Sequence, residues 1–521
     1  MCNELCIAPP SPSLEEKIIR SKQRLREGYE LPQEANEDVL DRKSAALILT
    51  RPPKTRAHTL ISPTKKFSPI LGTRRALVLL VDFSDKAATQ NQTHFDNMLF
   101  SVGSYATGSM RDFYREASYG KLDVIGEVSG TGGPTVGWYR APHPKSYYTN
   151  NDFGFGSHPR NAQKLVEDVI DLAAAYVNFS QYDNDGDGIV DALVIIAAGS
   201  GGEATGNKED FWSHKWSITP KTIDGVQIRN YFMAPEDGRV GVMSHELGHL
   251  LMKWPDLYDT DYSSRGTGRW DLMAGGSWNN GGHTPAHPTA WCKLQAGWIN
   301  PVTIFNSAQS ATIKPYHDNP DVYKLPIGSA NSKEYFLLSN RQQQGFDTHL
   351  PGSGCIIEHI DDEQTNNTDE AHYLVDIEQA DGNRDLNINA NSGDHSDPFP
   401  AGNNDAFDAS TTPNSKSYDG TDSKVGISEI KRAGTNITAN INVGGVAVKE
   451  WFANKIVDRT YSTYHSQNAW AHIQGMGWRK VKTADPDGVT NTFMALCEAH
   501  ANNKPVTVYL DNNTLYRMYL S

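Results

Sequence analysis

Residues Ser244 to Asp261 read SHELGHLLMKWPDLYDTD, and three side chains in this stretch can do chemistry together. In a helix, His245 and His249 share one face about one turn apart, so both imidazoles reach a single metal ion. Glu246 sits roughly 100° further round the helix and can lean over a metal-bound water without being a ligand. Zinc lowers the pKa of such a water to about 7, and a neighbouring carboxylate then takes its proton. The spacing therefore suits hydrolysis of a carbonyl substrate. A bare His-Glu-x-x-His also arises by chance, so its flanks matter. Val240 to Met243, Leu247, Leu250 and Leu251 make those flanks apolar. Burying two histidines and a glutamate is costly unless a metal or another partner meets them.

A third ligand is still needed. Asp256 is the nearest candidate, beyond Pro255, which cannot continue the helix. In PDLYDTD the same aspartate can equally serve as a turn or cap residue. His283 and His287 in GGHTPAHP are rivals, although the proline after His287 disfavours a helical pairing of those two.

Two further acidic groups suit hard cations. YDNDGDGIVD places Asp183, Asp185, Asp187 and Asp191 between glycines, as in loops that wrap calcium, but it lacks the glutamate that completes an EF-hand. The alternative is an Asx-rich turn leading into the strand DALVII. Asp381, Asp385, Asp394 and Asp397 form the second set. His214, between two tryptophans in DFWSHKWS, fits either a cleft residue or an aromatic cluster, and is left out of the catalytic set.

The 521 residues carry a net charge of −14, which excludes nucleic acid or anionic lipid as the main partner, because phosphate contacts need clustered Lys and Arg. No run approaches the roughly 20 apolar residues of a transmembrane segment. The first thirty residues lack the basic-then-apolar order of a secretory signal, whereas the cation-rich loops favour a secreted, extracellular life. Five scattered cysteines make no disulfide scaffold and read as buried or incidental thiols.

Around the motif, the elements fall into four stretches. Residues 1–73 are polar and Pro- and Lys-rich, and read as a pro-segment or linker that blocks the site sterically, with Cys2 and Cys6 contributing little. Residues 74–300 alternate strands and helices, starting with the continuous apolar run ALVLLV of a buried strand. Residues 301–446 show short alternating runs separated by Gly, Asn and Asp, a β-rich signal. Residues 447–521 hold a helix near Thr492 and a hairpin turning at Asn512-Asn513. Trp451, Trp470 and Trp478 in this tail are expected mainly in its own core; exposed, they would suit a carbohydrate or protein partner.

HELGHLLMKWPDLYDTD, followed by GTGRWDLMAGGSW, resembles the immune inhibitor A-like family of zinc metallopeptidases, within the metzincin-like group. RALVLLVDFSD, FYREASYGKLDV, EYFLLSNRQQQGFD and LPGSGCIIEHIDD extend the resemblance over most of the chain from Arg74 to Val443. It implies an α/β metzincin-like catalytic domain followed by a β-rich region and a small α+β C-terminal domain. It also implies zinc held by His245, His249 and Asp256, Glu246 as general base, and Met273 in a turn beneath the metal. The chain departs from the pattern where Met252 and Lys253 replace the usual turning glycine and the aspartate falls one residue later. The left-handed backbone that glycine adopts freely costs more for either residue. The expected function is a zinc-dependent endopeptidase acting on proteins and peptides. The alternative is a non-catalytic, metal-binding adhesion protein on the same fold, which would have no need of Glu246.

Overall fold

The computed structural model describes residues 5–26, 69–129, 137–444, 449–462, 468–482, 486–511 and 514–520. Its first half is built on a seven-stranded mixed sheet: β1 (Cys6–Ile7), β2 (Gly72–Asp82), β3 (Leu122–Ser129), β4 (Tyr139–Arg140), β5 (Leu193–Ala197), β6 (His214–Ile223) and β7 (Val226–Pro235). The spatial order is β1-β6-β7-β5-β2-β3, with β4 also on β2. β2 lies between β5 and β3, and from Ala76 to Asp82 every side chain is buried, so the strand needs no polar face. β2, β3, β5 and β7 run parallel; β6 returns antiparallel to β7. The β6–β7 link is Asp224-Gly225, both at positive φ (52° and 82°), the two-residue turn whose twist matches a hairpin.

Helices pack against this sheet. Within α3 (Ala162–Ala173), Leu165, Val166, Val169 and Ile170 are buried at helical spacing, and the Asn161 side chain caps the first turn. α2 (Met110–Ala117) starts with a capping box between Ser109 and Asp112. It lies beside α4 (Val240–Leu247), where Tyr114 Oη donates to Ser244 O at 2.5 Å. α4 is buried along its whole length. It can lie so deep because Gly241 has no side chain: a Cβ there would stand 1.9 Å from Ser277 O.

Strands 334–341 and 354–361 belong to a five-stranded sheet and join the two regions around residue 301. Tyr335, Leu337 and Ile360 enter the first core, while Phe336, Leu338 and Ile357 enter a second with Ile313, Phe407 and Ile441. Alternate residues of one sheet thus close two cores. The tail is a six-stranded sheet packed on α5 (Pro486–Ala501). Its core is aliphatic, including Val457, Ile473, Leu496, Val506 and Leu510. Trp451 and Trp478 instead lie outside it, 46% and 41% exposed, contrary to the expectation that the tail's aromatics fill its interior. The hairpin's Asn512-Asn513 turn lies outside the described residues.

Candidate metal centre

α4 leaves β7 through residues 236–239 and carries His245 and Glu246 on its last turn. The helix then widens into a π-helical turn, Gly248–Met252, that ends at Lys253 with φ 60°. The wider turn takes up an extra residue, which is how the chain reaches Asp256 one position late. The left-handed conformation expected near Met252 and Lys253 falls on Lys253, whose amide donates to Gly248 O.

The two imidazoles meet at right angles (88°), with Nε2 atoms 3.0 Å apart. Asp256 Oδ1 is 3.0 Å from His249 Nε2 and 3.2 Å from His245 Nε2. Each ring is oriented from behind: His245 Nδ1 is 3.0 Å from Leu272 O, and His249 Nδ1 is 2.6 Å from Trp254 O. A carbonyl only accepts, so each Nδ1 carries a hydrogen, and each neutral ring presents a bare lone pair at Nε2. Two lone pairs and a carboxylate oxygen therefore converge in a buried space, which only a cation can reconcile. A proton does so partially. Burial opposes charge on His249, but the adjoining Asp256 carboxylate outweighs it and holds His249 well above its ordinary pKa. Burial pushes His245 down. Burial would raise Asp256, but the imidazoles, His249 first, hold it low. A metal ion satisfies all three donors at once. Donors around tetrahedral zinc stand about 3.3–3.8 Å apart, within a few tenths of these separations.

Glu246 is fully buried, and neither carboxylate oxygen has a hydrogen-bond partner among the described residues. Burial pushes its pKa well up. Met273 lies under the π-helical turn, its Sδ 2.9 Å from where a Cβ on Gly248 would stand. The rival His287 is elsewhere, 3.0 Å from Glu116 Oε1 and 3.1 Å from Lys293 Nζ. His283 joins no group of convergent metal-ligating side chains among the described residues. His214 is a core histidine: Nδ1 is 2.7 Å from Trp212 O, Nε2 is 3.1 Å from Tyr231 Oη, and burial pushes its pKa down to about 4.

In the YDNDGDGIVD loop, oxygens of Asp183, Asp185 and Asp191 lie within 4.8 Å of one another. Asp187 is not among them and accepts instead from Ile189 N at 2.9 Å, because the turn directs its carboxylate to its own backbone. In the second set Asp381, Asp394 and Asp397 converge; Asp385 is not among them and is linked to Asp394 through Asn391, whose Nδ2 donates to Asp385 at 3.1 Å and to Asp394 at 2.9 Å.

Sequence reasoning missed the carbonyls of Leu272 and Trp254, since backbone groups leave no mark in residue type. It also missed Tyr258, two residues past Asp256, which is buried with its Oη 2.8 Å from Ile7 O. The largest departure is Cys6. It stands beside the centre, its Sγ within 4.8 Å of ligand atoms of both His249 and Asp256. Cys2 lies outside the described residues.

Residues 70–301 match the family model described as immune inhibitor A peptidase M6, catalytic domain. This segment is a domain of that peptidase family. Immune inhibitor A of Bacillus thuringiensis subsp. alesti is 33% identical over 255 residues, 39% of this chain and 36% of the relative. The pre-pro-metalloprotease PrtV of Vibrio cholerae serotype O1 is 28% identical over 346 residues, 54% of this chain and 36% of the relative. The chain thus matches about a third of the length of these relatives. The peptidase M6 domain contains β2 to β7, α4 and the whole His245–Asp256 centre.

Proposed function

We propose that this chain is a zinc-dependent endopeptidase that hydrolyses peptide bonds of proteins, with His245, His249 and Asp256 as zinc ligands and Glu246 as general base. The observation that carries the reading is the convergence of two Nε2 lone pairs and an Asp256 oxygen within 3.2 Å, beside a buried carboxylate that no group among the described residues satisfies. Bound zinc would polarise the scissile carbonyl and acidify water. Leu272 O and Trp254 O hold the rings so that Nε2 faces inward, and Asp256 bridges both. Glu246, adjacent to the ligands in sequence but not bonded to them, takes a proton from the attacking water and passes it to the leaving amine nitrogen. Its dry surroundings raise its proton affinity, which suits a group that must both accept and return a proton. Of the two relatives named above, one bears the family's name, immune inhibitor A, and the other is called a metalloprotease.

We further propose calcium at Asp183, Asp185 and Asp191, and an extracellular workplace in keeping with such sites. Among the described residues no helix is long and apolar enough to cross a membrane. The adhesion reading is disfavoured by Glu246, whose burial without a partner among the described residues has no purpose in a module that only binds.

The test is zinc content and casein cleavage after limited proteolysis of the full chain, compared with Glu246→Gln. The variant should keep one zinc and lose cleavage by about 10²–10⁴-fold, the usual worth of a general base. Loss of zinc from the variant, or unchanged cleavage, defeats the assignment.

A further inference from the structure

We propose that Cys6 is a fourth ligand of the metal centre, its thiolate closing the site made by His245, His249 and Asp256 and holding the full chain latent. This rests on the zinc reading above, and goes beyond it by giving the segment ahead of the peptidase domain a chemical task.

The position of Cys6 is fixed by backbone bonds. β1 pairs antiparallel with β6, Cys6 opposite Lys215 and Ile7 opposite His214. Ala8 N donates to Ser213 O at 2.9 Å, and Ser11 N donates to Glu203 O at 2.7 Å. Three side chains donate to carbonyls of the same stretch: Tyr258 Oη to Ile7 (2.8 Å), Trp212 Nε1 to Ala8 (2.8 Å) and Trp278 Nε1 to Pro9 (2.9 Å). α1 (Pro12–Arg26) then anchors the segment, burying Leu14, Ile18 and Ile19 against Phe153, Trp212, Tyr258 and Tyr262. Glu15 pairs with Arg265 at the edge of this cluster. An extended segment added to the edge of a sheet is how proteases and other strand-binding proteins hold a polypeptide. Residues 6–9 therefore lie as a bound chain would, and they bring a sulfur to the metal.

The surroundings of the sulfur are those of a ligand. A structural thiol packs among apolar groups. Cys6 Sγ instead lies within 4.8 Å of an imidazole nitrogen of His249 and a carboxylate oxygen of Asp256. Beside them Glu246 is wholly buried, with both oxygens unpartnered among the described residues, a second sign that the space is built for a cation. When metal binds, the thiol gives its proton to solvent, and sulfur takes the coordination position that water needs for hydrolysis. Activity then requires that Cys6 leave. The expectation that the segment blocks by bulk alone, with its cysteines incidental, does not fit this placement.

The experiment uses the full chain loaded with cobalt(II), for which a thiolate ligand gives a sulfur-to-metal charge-transfer band in the near ultraviolet. The band should appear in the wild type, vanish in Cys6→Ser, and persist in Cys2→Ser and Cys497→Ser. Alkylation mapped by mass spectrometry should find Cys6 protected in the zinc form and modified after chelation, a reading that needs no variant to fold. Cys6→Ser should also cleave casein without prior processing. A full chain that binds one cobalt but shows no band, a band that survives Cys6→Ser, or a Cys6 equally reactive with and without zinc overturns the ligand while leaving the peptidase reading intact. A chain that binds no metal, with or without Cys6, overturns that reading as well.

Discussion

Gly241→Ala tests whether the depth of α4 sets the geometry of the centre. The new Cβ would stand 1.9 Å from Ser277 O, where Cβ contacts below 3.0 Å are essentially never seen. Either α4 or the 275–282 segment must therefore withdraw by at least 3.0 − 1.9 = 1.1 Å. The obstacle is a backbone carbonyl, so no side-chain rotation relieves it. Alanine gains about 1 kcal/mol of helix propensity over glycine, against an overpacking cost of about 1–3 kcal/mol or more, so stability should fall modestly. The functional cost should be larger. Position 241 is one turn before His245 on the same face, and a displacement of about 1 Å at a reacting group costs on the order of 10²-fold in rate. The assay is casein cleavage by the processed enzyme, with zinc content and thermal melting measured on the same samples. By contrast Gly248→Ala meets the side chains of Met273 and Trp254 at 2.9 and 3.0 Å, which can give, and should lose less. If Gly241→Ala melts and cleaves like the wild type, the close approach of α4 does not position the centre.

Removing calcium with EGTA should lower the melting temperature by about 5–10 °C if the Asp183 loop is loaded at about a hundredfold its Kd, and an unchanged melt would leave only an Asx turn. Asp256→Ala should lose zinc to a chelator that leaves wild-type zinc in place; equal retention would show that Asp256 is not a ligand. Glu358 accepts from Ala290 N and Trp291 N at a helix start, and burial raises its pKa from 4.5 to about 7. The folded chain thus holds a proton that the unfolded chain releases, so the group costs nothing below about pH 4.5. Its penalty grows to about 3 kcal/mol as pH rises to about 7. Glu358→Gln should flatten that fall in thermal stability between pH 5 and 7.5, while lowering stability at acid pH because an amide satisfies only one of the two N–H groups. A slope identical to the wild type's would show that Glu358 stays ionised.

Short-range patterns were legible without coordinates. The spacing of His245, Glu246 and His249 needs only helical periodicity to put two imidazoles on one side and a carboxylate beside them. The run ALVLLV needs only its continuity to mark a strand buried on both faces. The aspartates of YDNDGDGIVD announce a turn, although which carboxylates converge depends on backbone rotations that made Asp187 serve its own chain. What composition does not encode is which distant groups meet. Asp256 and His287 were both eligible as third ligand, and only the π-helical turn and the bend at Lys253 bring one of them to the two histidines. Which ring nitrogen of those histidines faces the centre is set by Leu272 O and Trp254 O, backbone acceptors that any residue type would supply. Cys6 is the extreme case: far from the motif in sequence and set in a polar segment, it reaches the centre only because β6 offers an open edge on which residues 6–7 pair. Pairing at a sheet edge is made by backbone groups common to all residues, so neither its register nor its partner can be read along the chain; tertiary packing alone decides them.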